Sequence, residues 1–115
     1  MIIGIGIDIV DLPRFIEIAS NQEFRARYFS IKENGLKIES LAGRFAAKEA
    51  LFKALDVQEL FCWDDVEIIS NSKGKPIFNF KNYLADYAKD KKIFLSISHS
   101  KNSSIAVVII ENLRV

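Results

Sequence analysis

The run GIGIDIVDL, residues 4–12, constrains the fold more than any other part of the chain. Residues Ile2 to Val10 are rich in β-branched side chains, which favour a pleated, half-buried strand. Side chains alternate along a strand, so Ile3, Ile5, Ile7 and Ile9 share one face and Gly4, Gly6 and Asp8 the other. A carboxylate within an apolar strand is costly unless it is hydrogen-bonded, paired or bound to a metal. Two glycines on its face leave Asp8 in a space clear of side chains, where a ligand or a neighbouring chain can come close. The alternative is a strand end whose acid emerges into solvent. The stretch is not a dinucleotide fingerprint, because Ile9 stands where the third glycine is needed, and it is not a P-loop.

With 115 residues, half of them hydrophobic, the chain fits one domain spanning 1–115 with a real core. A formal net charge of +1 gives no overall basic signal for nucleic acid. Cys62 is the only cysteine, so no disulfide framework exists. The N-terminus lacks the basic start and unbroken apolar run of a signal peptide, since Asp8 interrupts it. The closing run SIAVVII is too short to span a bilayer and reads as a buried strand. The expectation is a cytoplasmic protein with no membrane partner.

The pattern predicts an α+β fold, one long helix packed on a largely antiparallel sheet. Asp11 can cap a helix over Leu12–Ala19, with Pro13 in its first turn. A short helix follows over Glu23–Tyr28, and Ser30–Lys37 reads as a loop or weak helix. Residues Glu39–Leu55, ESLAGRFAAKEALFKAL, hold strong helix formers with Leu41, Phe45, Phe52 and Leu55 on roughly one stripe. Val66–Ser70 and Pro76–Phe80 read as strands joined by NSKGK, and Asn82–Asp90 as a short helix. Ile93–His99 and Ser104–Glu111 then form a hairpin around KNS.

Within the long helix, Arg44 and Lys48 are four residues apart, as are Glu49 and Lys53, so each pair shares a face. Such pairs can be solvated, or can combine a metal-binding carboxylate with cations for phosphate oxygens. Local spacing leaves both open. The only histidine, His99, closes the strand SISHS on the face of Leu95 and Ile97. A lone histidine there is commonly structural, and one His with one Cys makes a zinc site improbable.

In order and at these separations, GIGIDIVDLPRF, LAGRFAAKEALFKA, NSKGKP and SISHS resemble one family over nearly the whole chain. It is the single-domain 4′-phosphopantetheinyl transferases, the holo-[acyl-carrier-protein] synthases. The resemblance implies a Mg²⁺-dependent enzyme that moves the 4′-phosphopantetheine of coenzyme A to a serine of apo acyl carrier protein. Adenosine 3′,5′-bisphosphate is released, and the product serves fatty acid biosynthesis. Carried over by position, Asp8 and Glu49 would hold the metal, and Glu49 and Lys53 would be catalytic. Lys48, Lys53, Gly74, Lys75, Pro76 and His99 would contact coenzyme A. Arg14 and Arg25 would meet the acidic carrier protein. The family also implies a homotrimer with active sites between protomers. Larger members carry a second acid where Val10 stands, so two protein carboxylates are expected at the metal. The stretch between Tyr28 and Leu41 is shorter than this branch implies. A non-catalytic coenzyme A-binding module and a purely structural interaction domain are the competing readings; the intact Asp8, Glu49 and Lys53 set speaks against the first.

Overall fold

The computed structural model describes residues 1–58 and 61–113. Strand β1 (Ile2–Asp11) leads into helices α1 (Leu12–Ala19), α2 (Gln22–Tyr28), the single turn α3 (Ile31–Asn34) and the long α4 (Ile38–Ala54). A 3₁₀ turn at Trp63–Asp65 precedes β2 (Val66–Ser70), β3 (Pro76–Phe80), α5 (Asn82–Ala88), β4 (Lys91–His99) and β5 (Ser103–Asn112). The strands form an antiparallel three-stranded sheet, β1-β5-β4, and a separate antiparallel ribbon, β2-β3. The α+β architecture is the expected one, with the strands divided between two sheets. Among the described residues, no helix is long and apolar enough to cross a membrane.

Local chemistry explains the joints. The Asp11 carboxylate accepts a hydrogen bond from the Arg14 backbone N–H at 3.1 Å, capping α1 with Pro13 in the first turn. Ser30 and Glu33 form a reciprocal capping box that turns the uncertain 30–37 segment into a helical turn. In the NSKGK turn, the Asn71 side chain accepts from the backbone N–H groups of Lys73 and Lys75, both at 2.9 Å. Gly74 takes a φ of +79°, which a side chain would disfavour.

Helix α4 lies across the three-stranded sheet and is buried nearly all round, so its core positions form no single stripe. Leu41 and Leu55 are buried as expected, but Ala46, Ala47, Ala50 and Ala54 carry much of the packing. Phe45 instead joins an aromatic cluster, 5.6 Å from Phe15 and 5.5 Å from Phe24 between ring centroids. These contacts hold α1 and α2 to α4, each contributing about 0.5–1.5 kcal/mol beyond burial.

The glycine face of β1 corrects one expectation. It is not open to a ligand or another chain; it is pressed against α4 of the same chain. A Cβ at Gly6 would collide with the Ala50 carbonyl, its carbon and the Ala54 nitrogen both lying at 2.9 Å. One at Gly4 would collide with the Ala54 carbonyl. The isoleucine face is the open one: Ile5, Ile7 and Ile9 are 67%, 57% and 68% exposed. Ile3 leaves that face and packs on the core, because the β1–β5 register shifts between Ile2 and Gly4. Gly6→Ala is expected to destabilise the fold by about 2–3 kcal/mol, at the high end for overpacking, since the obstacle is backbone. A denaturant midpoint unchanged from wild type would show that strand and helix are not so close.

Candidate active site

The backbone contact at Gly6 fixes what lies two residues further along β1. Asp8, on the same face, meets the side of α4 that carries Glu49 and Lys53 one turn apart. The Lys53 ammonium donates to Asp8 Oδ1 at 3.0 Å and to the Ile7 carbonyl at 3.1 Å. Asp8 is therefore neither unpaired nor loose in solvent. Lys53 is half-exposed, so the pair adds only about 0–1 kcal/mol to stability and leaves the ammonium free to reorient.

Asp8 and Glu49 line one cleft of about 310 Å³, with Asp11, Arg14, Ile18 and Phe45. Burial beside the aromatic wall raises the pKa of Glu49; the Asp8 carboxylate raises it further and Lys53 partly offsets this. Asp8 is thus close enough to oppose the ionisation of Glu49, a cost that a cation between them would relieve. Asp8 and Glu49 are the residues able to hold a divalent cation. No group of three or more His, Cys, Asp or Glu side chains suited to a metal occurs among the described residues. A hard ion such as Mg²⁺ suits this donor set, since it takes one or two carboxylates together with phosphate oxygens and water.

A second cleft, about 470 Å³, has Leu12 at the β1–α1 junction in its lining. Its walls come from the start of α4 (Glu39, Ser40, Gly43, Arg44), the ribbon (Ser70, Gly74, Pro76) and the end of β4 (His99, Ser100, Lys101). His99, Gly74 and Pro76 are brought together here as the sequence suggests, but not with Asp8 and Glu49; the two clefts share no lining residue. Lys75 is exposed on the turn, its backbone N–H bound to Asn71. Arg44, weighed with Lys48 as a cation for phosphate oxygens but not among the positions carried over from the family, is also here. It lines this cleft and a smaller one beside Glu33 and Glu67, and its buried Nε lacks a hydrogen-bond partner among the described residues. Its spacing from Lys48 was the available signal, but spacing alone does not say which way either cation points.

Lys48 does not reach either cleft. Its ammonium is buried, donating to Glu33 Oε1 at 2.8 Å and to the Tyr28 carbonyl at 2.6 Å. A phosphate contact from Lys48 is therefore set aside: the side chain is spent on internal partners. Arg14 is exposed at the rim of the acid cleft. Arg25 lies on α2, half-buried, and does not line that cleft, while Arg27 stacks over the Tyr28 ring at 5.6 Å.

Fold and clefts together define an α+β protein with a metal-competent acid pair and an anion-competent cleft built on one helix. The family model of the 4′-phosphopantetheinyl transferase superfamily matches residues 4–109. A holo-[acyl-carrier-protein] synthase of Leifsonia xyli subsp. xyli is 43% identical over 115 residues, covering 96% of this chain and 98% of the relative. Among solved structures, a Bacillus anthracis holo-(acyl-carrier-protein) synthase in complex with CoA (3′,5′-ADP) is 36% identical. It superimposes with a TM-score of 0.80 over 97% of this chain and 98% of that one. A Helicobacter pylori holo-[acyl-carrier-protein] synthase in complex with coenzyme A is 34% identical, with a TM-score of 0.82 over 93% and 99%. The chain belongs to the 4′-phosphopantetheinyl transferase superfamily.

The charge arrangement makes the titration of Glu49 a direct test of the cleft. In metal-free protein, a carboxyl NMR titration is expected to place Glu49 above the ordinary glutamate value of 4.5. Asp8→Asn should lower it and Lys53→Met should raise it further. Because the folded-state pKa is raised, the contribution of Glu49 to stability is full below the ordinary value and lost as pH rises through the raised one. An unshifted Glu49 that ignores both substitutions would mean the three groups do not share a site.

Proposed function

We propose that the protein is a holo-[acyl-carrier-protein] synthase, transferring 4′-phosphopantetheine from coenzyme A to a serine of apo acyl carrier protein. The observation that carries this reading is the Asp8–Glu49–Lys53 cluster on a strand–helix contact, in a chain the family model spans almost from end to end. The whole chain, 1–115, acts as one catalytic domain in this reading, in the cytoplasm and in support of fatty acid biosynthesis.

The reaction forms a bond between the serine oxygen and the β-phosphorus of coenzyme A. The bond from that phosphorus to the bridging oxygen breaks, and adenosine 3′,5′-bisphosphate departs with the electron pair. The leaving group is already a good one, so the protein's task is to align the reactants and to neutralise charge. Asp8 and Glu49 would hold Mg²⁺, which when bound offsets the pyrophosphate charge. Lys53, half-exposed beside Asp8, can turn its ammonium to the departing phosphate. The serine proton goes to Glu49 or to a water that Glu49 orients. Arg44 and His99 supply donors for the nucleotide's phosphate, with Gly74, Lys75 and Pro76 as the adjacent turn.

In this reading one coenzyme A uses both clefts, yet within one chain they share no lining residue. A homotrimer with sites between copies resolves this, the cationic cleft of one facing the acid cleft of the next. The uncovered outer face of the three-stranded sheet supports it. Ile5 pairs across the sheet with Ile109, which pairs in turn with Phe94; Ile7 pairs with Val107 and Ile9 with Ile105, an apolar face unusual for a solitary domain. The acidic carrier protein would dock at Arg14 beside the acid cleft, with Arg25 as a second contact and a salt-sensitive association.

Incubation with coenzyme A, Mg²⁺ and apo carrier protein is expected to add the mass of phosphopantetheine to the carrier. Chelation of the metal should abolish the gain, and Glu49→Gln should reduce turnover by about 100-fold or more, the scale of a lost general base. A Glu49→Gln variant at full turnover in saturating Mg²⁺ would remove both roles given to that residue. Arg14→Glu is expected to raise the carrier-protein KM by about tenfold, one reversed charge contact, and to leave the coenzyme A KM unchanged. Equal effects on both would argue against docking there. Ile7→Glu should yield monomers in sedimentation and abolish transfer; active monomers would refute the shared site.

A further inference from the structure

Glu33 and Lys48 form the most enclosed ion pair among the described residues, each side chain 1% exposed. An isolated pair of this kind is a poor source of stability, because desolvation consumes much of the Coulomb attraction. Burial accordingly lowers the pKa of Lys48, with Glu33 opposing that shift. What the pair supplies is direction. Glu33 Oε1 accepts from Lys48 Nζ at 2.8 Å and from the Ser30 backbone N–H at 2.9 Å. Glu33 Oε2 accepts from the Ile68 backbone N–H at 3.0 Å, and Lys48 Nζ donates also to the Tyr28 carbonyl. One buried carboxylate thus ties α4 to β2 through α3.

Both of those elements contribute lining residues to the cationic cleft. Lys48 lies one turn after Arg44 on α4, and Ile68 lies two residues before Ser70 on β2, whose turn brings Gly74 to the cleft. The β2-β3 ribbon is not part of the three-stranded sheet, so no sheet ladder sets its distance from α4. We propose that Glu33 and Lys48 are positioning residues that set the width of this cleft, and through it the affinity for the nucleotide end of coenzyme A. The role rests on the function given above, but neither residue touches the substrate.

The test uses the full-length protein with Glu33→Gln, Lys48→Met and the apolar pair Glu33→Leu/Lys48→Met. The single variants are expected to raise the coenzyme A KM about tenfold or more, on the scale of small displacements at a binding wall. The carrier-protein KM should hold and kcat should stay within about threefold, since the acid cleft is untouched. Amide exchange at Ile68 should quicken in each variant lacking the Glu33 carboxylate. If a single variant does not fold, the apolar pair is decisive: with no unpaired buried charge it is expected to be more stable than either single variant, though below wild type because the Ser30 and Ile68 N–H groups lose their acceptor, and not to recover the coenzyme A KM. Recovery of stability and KM together, or KM values that rise equally for both substrates, would overturn the positioning role. Wild-type protein that fails to bind coenzyme A in calorimetry would instead overturn the functional reading, and the cleft as a ligand site with it.

Discussion

Everything in this molecule is referred to the place where β1 and α4 touch backbone to backbone. Gly4 and Gly6 remove the side chains that would keep strand and helix at the usual separation, and Ala50 and Ala54 offer bare carbonyls in return. Loss of two side chains from a core strand is normally a weakness, since glycine packs nothing and is entropically costly to order. Here it converts a flexible stack into a fixed spacing. Asp8 then faces Glu49 and Lys53 across a gap set by main-chain atoms, which do not change rotamer.

The acid cleft shows why such stiffness is useful. Two carboxylates and an ammonium are held at partial burial, where desolvation and mutual repulsion work against ionisation of Glu49. Side chains on a soft scaffold would drift apart and relieve the repulsion. The rigid contact prevents this, so the unfavourable arrangement persists for a cation or an anionic substrate to resolve.

Much of this was legible in the sequence. Element types followed from periodicity, with bounds within two residues for nearly every strand and helix, because turn residues such as Asp11, Pro13 and Gly74 act locally. The match of four separated motifs identified the family, and the Asp8–Glu49–Lys53 set came together as expected. What local reasoning missed depends on direction in three dimensions. Gly4 and Gly6 read as clearing space for a ligand or a neighbouring chain, whereas a helix of the same chain fills it; strand alternation separates two faces without saying which is inside. Arg44 and Lys48 share a helix face, yet one opens into a cleft and the other is swallowed by Glu33, fifteen residues away. Only the packing of α3 against α4 distinguishes them, and the capping box that builds α3 lies in a segment whose composition is otherwise that of a loop.

That difference has a chemical corollary. Lys48 and Lys53 are the two lysines within α4, alike in composition and separated by little more than one turn. One ammonium is sealed behind Phe29, Tyr28 and Glu33; the other stands half in water beside Asp8. An amine-selective reagent applied to the folded protein therefore addresses Lys53 alone on that helix, and its labelling reports on the acid cleft without interference from the buried neighbour.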